Sequence, residues 1–449
     1  MTDDRLQPLT EALLAAARTA GADAADAIAV SGTAISVDVR GGNLEQAERS
    51  EGIEIGLRVL LGQRQACVSA SDLSDRTIAE MAERAVAMAR EAPADPTIGL
   101  ADPSDLITSW DAAAYDLFDP AAEPGAADLE DDARRAEAAA LAIKGVAQCQ
   151  SASGSYSRRM IHLSATNGFS GGYMRTSRAT SAVAVAGEGL GMERDWAAES
   201  RVYQADLPGA ESIGALAGAR AVERLGARKP KTGAYPVLFD ERVASSLIGH
   251  LLGAVNGQAV ARGASWLRDR LGEQVLPTGL SVTEDPRRAR ISGSRPFDAE
   301  GLPTQSRSIV ENGILTGWTL DLGTARKLGM KSTASAARGT SAPPSPAHSN
   351  IALTEGVLTR HDLMREMGTG LLITSMIGSS INATTGDYSR GASGFWVEKG
   401  EIAYPVNECT IAGNLRELLM RITPANDARP YLSYVVPTLL VEGLTLAGA

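Results

Sequence analysis

The chain has 449 residues, 44% of them hydrophobic and 22% charged, with a formal net charge of -11. At roughly 100–200 residues per domain that size suggests two or three globular domains, and the acidic balance argues against phosphate neutralisation and so against nucleic acid as a main partner. Aromatic residues make up only 4%, so Leu, Val, Ile and Ala must fill the core.

The opening MTDDRLQPLT has no basic segment followed by an apolar one, so no signal peptide is expected. LQPLTEALLAAARTA (6–20) reads as a helix that ends near Gly21. Residues 27–72 read as strands: Val37 and Val39 alternate with Asp38 and Arg40, and Ile53, Ile55 and Leu57 with Glu54 and Gly56. That is the pattern of a half-buried antiparallel meander. Over 75–92 an amphipathic helix puts Ile78, Met81, Ala82, Ala85, Val86 and Ala89 on one stripe. Residues 93–128, rich in Pro, Ala and Asp, read as loop, followed by a third helix over about 129–144. Strands return over 146–207, with a turn at Asn167-Gly168. Gly187, Gly189 and Gly191 lack the G-x-G-x-x-G spacing and open no helix, so they read as strand ends and turns rather than a phosphate loop. A helix over 211–227 leads to the basic, turn-rich RKPKTGAYP (228–236), the expected boundary between an N-terminal α+β domain (1–230) and a β-rich C-terminal domain (231–449).

The second domain opens with the strand YPVLFD, after which Asp240 caps a helix over 241–254 and Glu241 sits at its positive end. Hairpins follow across Glu311-Asn312-Gly313 and Lys399-Gly400, with the irregular SAPPSPAHSN (341–350) between them. A short helix is expected over 413–422, and strands close the chain. The fold class is α+β, with a mostly antiparallel C-terminal domain. No run of about 18 apolar residues exists, so no spanning helix is expected. Cys67, Cys149 and Cys409 contain no C-x-x-C pair, so neither a zinc ribbon nor a disulfide framework is indicated, and a cytoplasmic location is expected.

Chemistry is scarce in this pattern. His250 falls seven residues after Val243, near the apolar face of the 241–254 helix, where core filling is its plainest role. Ser246, four residues upstream, would be its neighbour, but a nucleophile–base pair lacks both the G-x-S-x-G elbow and an orienting carboxylate. His162, His348 and His361 read as surface or capping residues.

Longer motifs carry a resemblance. FDAEGLPTQSRSIVENGILTGWTLDLGTARKLGMKSTASAARGTSAPPSPAHSN (297–350), SSINATTGDYSRGASGFWVEKGEIAYPVNECTIAGNL (379–415) and the YPVLFD-helix unit resemble the TldD/PmbA family, as do RVLLGQRQACVSASDLS (58–74) and SATNGFSGGY (164–173) more loosely. The resemblance spans nearly the whole chain and is densest over 235–420. One branch of the family, TldD, has H-E-x-x-x-H on the corresponding helix and a C-terminal cysteine, which bind a metal in a protease. The other, PmbA or TldE, lacks these and partners the first; older naming calls such proteins modulators of DNA gyrase. Here the six positions read Ser245-Ser246-Leu247-Ile248-Gly249-His250, and the final segment holds no cysteine.

The resemblance therefore implies a non-catalytic subunit whose degenerate metal motif is Ser245, Ser246 and His250. It implies no metal in this chain, a metal such as zinc in a TldD-type partner, and a peptide or unfolded protein as substrate. The sequence leaves open whether the chain forms a homodimer when alone. The loops 334–346 and 376–387 are the candidates for a peptide-facing cleft, with Arg338, Ser345, Ser379 and Asn382 in them and His348 just after the first. Rival readings are a peptidase that rebuilds a metal site from His250 with His348 or His361, and a non-enzymatic regulator of another protein. Positions five apart on a straight helix diverge by about 140°, so a helix with no metal to reward a widened turn should be regular.

Overall fold

The computed structural model describes residues 5–448. The N-terminal part starts with helix α1 (Leu6–Thr19), strands β1 (Ala24–Arg40), β2 (Asn43–Leu61) and β3 (Arg64–Ala70), and helix α2 (Asp75–Glu91). Ser74 caps α2 by accepting the Thr77 N–H, and the predicted stripe from Ile78 to Ala89 is the face it buries. The stretch read as loop contains a short helix α3 (Ala112–Tyr115), and the third helix, α4 (Ala126–Leu141), starts three residues earlier than its sequence pattern suggests. Asp128 accounts for the early start, because its carboxylate reaches back to accept the Gly125 N–H at 2.8 Å, the half of a capping box that a glycine N-cap allows.

Strands β4 (Val146–Ala165), β5 (Ser170–Ala186) and β6 (Glu193–Arg201) complete a six-stranded antiparallel sheet in the order β3-β2-β1-β4-β5-β6. Helix α5 (Ala210–Glu223) lies on it beside α4. Ala133, Ala136 and Ala140 meet Ala210, Ala217 and Ala221 in a core of small side chains. The close approach depends on Gly214, where a Cβ would overlap the Ala136 carbonyl. This is how a chain with few aromatics packs two helices on a sheet: short side chains let backbones come together.

The C-terminal part runs through β7 (Gly233–Phe239), α6 (Glu241–Ala254), α7 (Gly257–Ala261), β8 (Val282–Glu284), β9 (Arg307–Glu311), β10 (Ile314–Leu315), α8 (Leu322–Leu328), β11 (Ala336–Ala337), β12 (Ser345–Pro346), β13 (Ile351–Leu353) and α9 (Arg360–Met367). It ends with β14 (Gly370–Ile381), β15 (Asp387–Glu398), β16 (Glu401–Asn414), α10 (Leu415–Leu419), β17 (Ile422–Pro424), β18 (Tyr434–Val435) and β19 (Leu439–Ala447). The larger sheet has the order β16-β15-β14-β7-β19-β17. It is antiparallel except where β7 runs parallel to β14. Both predicted hairpins form, with left-handed backbone at Asn312 (φ 49°) and Gly313 (φ 85°) and at Lys399 (φ 54°) and Gly400 (φ 80°). The helix expected over 413–422 shrinks to five residues, since Asn414 still pairs with Asp387 as the last residue of β16 and caps the helix.

The two parts meet in a buried ion network. Asp26 of β1 pairs with Arg58 of β2 and with Arg338 from the loop between β11 and β12. Both Asp26 and Arg58 are 4% exposed, and the Arg338 side chain is fully buried. Thr340 Oγ1 donates to Glu54 at 2.6 Å, and Gly56 lets the Thr340 backbone lie on β2, where any Cβ would overlap the Thr340 carbonyl.

Candidate functional site

Helix α6 follows directly from β7, the strand at the centre of the larger sheet. Asp240 caps it, accepting the Arg242 N–H at 3.2 Å, and is tied further to Arg242 Nε at 3.1 Å and Arg360 Nη1 at 2.8 Å. Ala244, Leu247, Ile248, Leu251 and Leu252 are buried, which fixes the rotation of the helix and leaves Ser245, Ser246 and His250 half-buried. The helix is α-helical throughout from Glu241 to Ala254, with no widened turn.

The three positions do not form a reactive group. Ser246 Oγ donates to the Val243 carbonyl at 2.7 Å, a local bond that turns it away from His250. The imidazole stands edge-on to Tyr388 of β15, with ring centroids 5.6 Å apart and planes at 62°. The Tyr388 hydroxyl in turn faces Met376 Sδ at 3.6 Å. His250 Nε2 is buried and has no hydrogen-bond partner among the described residues. Burial and the nearby Arg390 cation push its pKa down to about 4, so the ring is neutral at pH 7.

The other histidines lie elsewhere. His348 Nε2 is 2.7 Å from Thr319 Oγ1, in a network that joins Glu284 to Arg307 at 2.7 Å, and burial pushes its pKa down to about 4. His361 is exposed on α9, 3.8 Å from Glu401. His162, expected at the surface, is 7% exposed, because β4 packs under α1; its Nδ1 is 3.0 Å from Thr10 Oγ1. Among the described residues no three His, Cys, Asp or Glu side chains converge to hold a metal ion. His250, His348 and His361 are thus not brought together.

The candidate cleft residues occupy unlike settings. Arg338 is turned inward to Asp26, a placement the sequence does not reveal because its partner lies 312 positions away. Ser345 lies in β12, paired with Ala337. Asn382 is exposed at the tip of the β14–β15 hairpin, where its Oδ1 accepts the N–H groups of Thr384 and Thr385 at 3.0 and 3.2 Å. The side chain of Ser379 lies outside the described residues. Sequence reading missed Tyr388 and Arg390, whose alternation in GDYSRGASG was a usable signal.

Three family descriptions match in succession: PmbA/TldA metallopeptidase domain 1 over residues 25–89, the central domain over 119–225 and the C-terminal domain over 232–448. The metalloprotease PmbA of Escherichia coli O157:H7 is 37% identical over 95% of this chain and 92% of its own length. The chain belongs to the PmbA/TldD family. A PmbA homolog of Haemophilus influenzae is 36% identical, over 96% of this chain and 94% of its own. Among solved structures, a candidate modulator of DNA gyrase from Bacteroides thetaiotaomicron superposes over the full length of both chains, with TM-score 0.91 and 26% identity. TldE from Thermococcus kodakarensis shares the fold, with TM-score 0.84 and 19% identity over 98% of this chain and 100% of its own.

The family description implies a metal, and the residues at α6 do not fit one. A catalytic zinc needs three protein ligands and an open position. Here one orphaned imidazole nitrogen is backed by a phenol, and the charged group acting on it is the Arg390 cation. A lone neutral imidazole holds a divalent ion too weakly for catalysis.

Proposed function

We propose that this member of the PmbA/TldD family is the non-catalytic subunit of a heteromeric metalloprotease. Its partner is a TldD-type chain that carries the metal, and the complex acts on peptides or unfolded proteins. The observation that supports this reading is α6: His250 stands alone where the family resemblance implies three working positions, with Ser245 and Ser246 in place of the first ligand and the base. Ser246 is committed to the Val243 carbonyl, so it offers no substitute for a general base.

Co-expression with the TldD-type protein of the same organism tests the assignment. The two should purify together. Hydrolysis of a denatured protein or a long peptide should require the partner and stop when the partner's metal is chelated. Failure of the two chains to associate, or metal-dependent cleavage by this chain alone, would overturn it.

A further inference from the structure

A cavity of about 800 Å³ lies between the open edge of the N-terminal sheet and the C-terminal part. It sits at the start of α6, whereas His250 is near that helix's far end. Three features of its wall belong together.

The first is an open strand edge. β6 is the last strand of its sheet. The Trp196 carbonyl accepts Arg220 Nη1 at 3.1 Å and the Ser200 carbonyl accepts Arg201 Nη1 at 2.8 Å, so these residues turn their main-chain groups outward. Antiparallel alternation gives Ala198 the same orientation. An edge of this kind accepts one more extended strand. The second feature is apolar surface left in water: Trp196 is 53% exposed and Leu216 44% exposed, both on the cavity wall.

The third is charge. Among the described residues lining the cavity are five arginines and two glutamates, in a chain whose net charge is -11. Most of these cations are already matched. Arg201 pairs with Glu199 at 2.7 Å, Arg429 with Glu241 at 2.6 Å, and Arg290 with Asp116 at 2.6 Å. Arg242 is held by Asp195 at 3.3 Å and Asp240 at 3.1 Å. Among the described residues no carboxylate lies within 4 Å of Arg220, and those that act on it from further off, Asp195, Asp240 and Glu241, are each bound to another arginine. Among the described residues lining the cavity it is the arginine with no paired carboxylate, held beside the strand edge only by its bond to the Trp196 carbonyl.

We propose that this groove holds an extended acidic peptide segment, which adds to β6 at Ala198, lays an apolar side chain on Trp196 and Leu216, and sets a carboxylate against Arg220. The proposal rests on the peptide-handling role given above and adds to it a site and a preference for acidic sequence. It places peptide contact away from the loops 334–346 and 376–387.

Fluorescence polarisation on the full-length protein tests it with three labelled hexapeptides, Ala-Val-Glu-Val-Glu-Ala, its Glu→Gln counterpart and an acidic version N-methylated at alternate residues. The acidic peptide should bind at least about tenfold more tightly than either of the others, the factor expected from one charge-assisted contact. Arg220→Gln should erase the preference and Arg220→Lys should keep most of it, while Arg416→Gln, outside the groove, should change nothing. Equal binding of the acidic and Gln peptides, equal binding of the N-methylated peptide, or no binding up to about 1 mM would each overturn the proposal. The peptide comparisons on the unaltered protein decide the matter even if an Arg220 variant fails to fold. They are also independent of whether a TldD-type chain associates, which is what the subunit assignment stands on.

Discussion

Replacing His250 with Phe isolates what this residue does. The ring stands edge-on to Tyr388, so Phe fills nearly the same space and keeps the aromatic contact. It removes a buried nitrogen that has no partner. Deleting an unsatisfied polar atom from an apolar surround should raise stability at pH 7 by about 1 kcal/mol. The pH dependence gives a second handle. The folded pKa, pushed down to about 4, lies below the ordinary 6.5, so between these values the unfolded chain binds more protons and stability falls as pH falls. The undiscounted shift corresponds to about 3 kcal/mol; the ring is only partly buried, and solvent screening reduces this to about 1–2 kcal/mol. Urea unfolding of the wild-type protein and His250→Phe, followed by circular dichroism at pH 7.5 and pH 4.5, measures both effects. The variant should gain about 1 kcal/mol at the higher pH, and its advantage should widen by a further 1–2 kcal/mol at the lower. The difference between the two proteins cancels His348 and His162, whose pKa values are also lowered by burial. A variant less stable at pH 7.5, with no widening on acidification, would mean that His250 makes a polar bond or holds an ion in solution and is not an orphaned neutral ring.

Asp26→Ala should be among the most damaging single changes, costing about 3–5 kcal/mol in a thermal or urea melt, because it leaves Arg58 and the fully buried Arg338 without their shared carboxylate. Gly214→Val should cost at least about 1–3 kcal/mol by forcing α5 away from the Ala136 carbonyl, seen as a lowered Tm. Metal analysis of the purified chain after dialysis should find far less than one zinc per chain, since no three ligand side chains converge among the described residues.

What the sequence disclosed follows the range of each signal. The α2 stripe repeats within one helix and needs no knowledge of distant elements, so Ile78 through Ala89 were legible and are buried. The Asn312-Gly313 and Lys399-Gly400 turns were legible for the same local reason, because each needs a left-handed backbone that these residues supply. His162 was misread as a surface residue because its burial comes from α1, more than 150 positions away. Arg338 looked like a cleft residue in a Ser- and Gly-rich loop until Asp26 fixed it as an internal clamp. At α6 the two serines were visible in the sequence, but the orphaned Nε2 and its Tyr388 backing were not. They depend on Tyr388 of β15, more than 130 positions away, being brought against the helix.

If the chain is the non-catalytic subunit proposed above, it contributes no catalytic ligand to the protease it joins. The direct measurement is the peptidase rate and metal content of the assembled complex with wild-type protein and with His250→Ala. Rates within about twofold and unchanged metal per complex are predicted, since a change smaller than about 0.4 kcal/mol in barrier is what a bystander residue should give. Loss of both metal and activity on His250→Ala would place this histidine in the active centre and contradict the account.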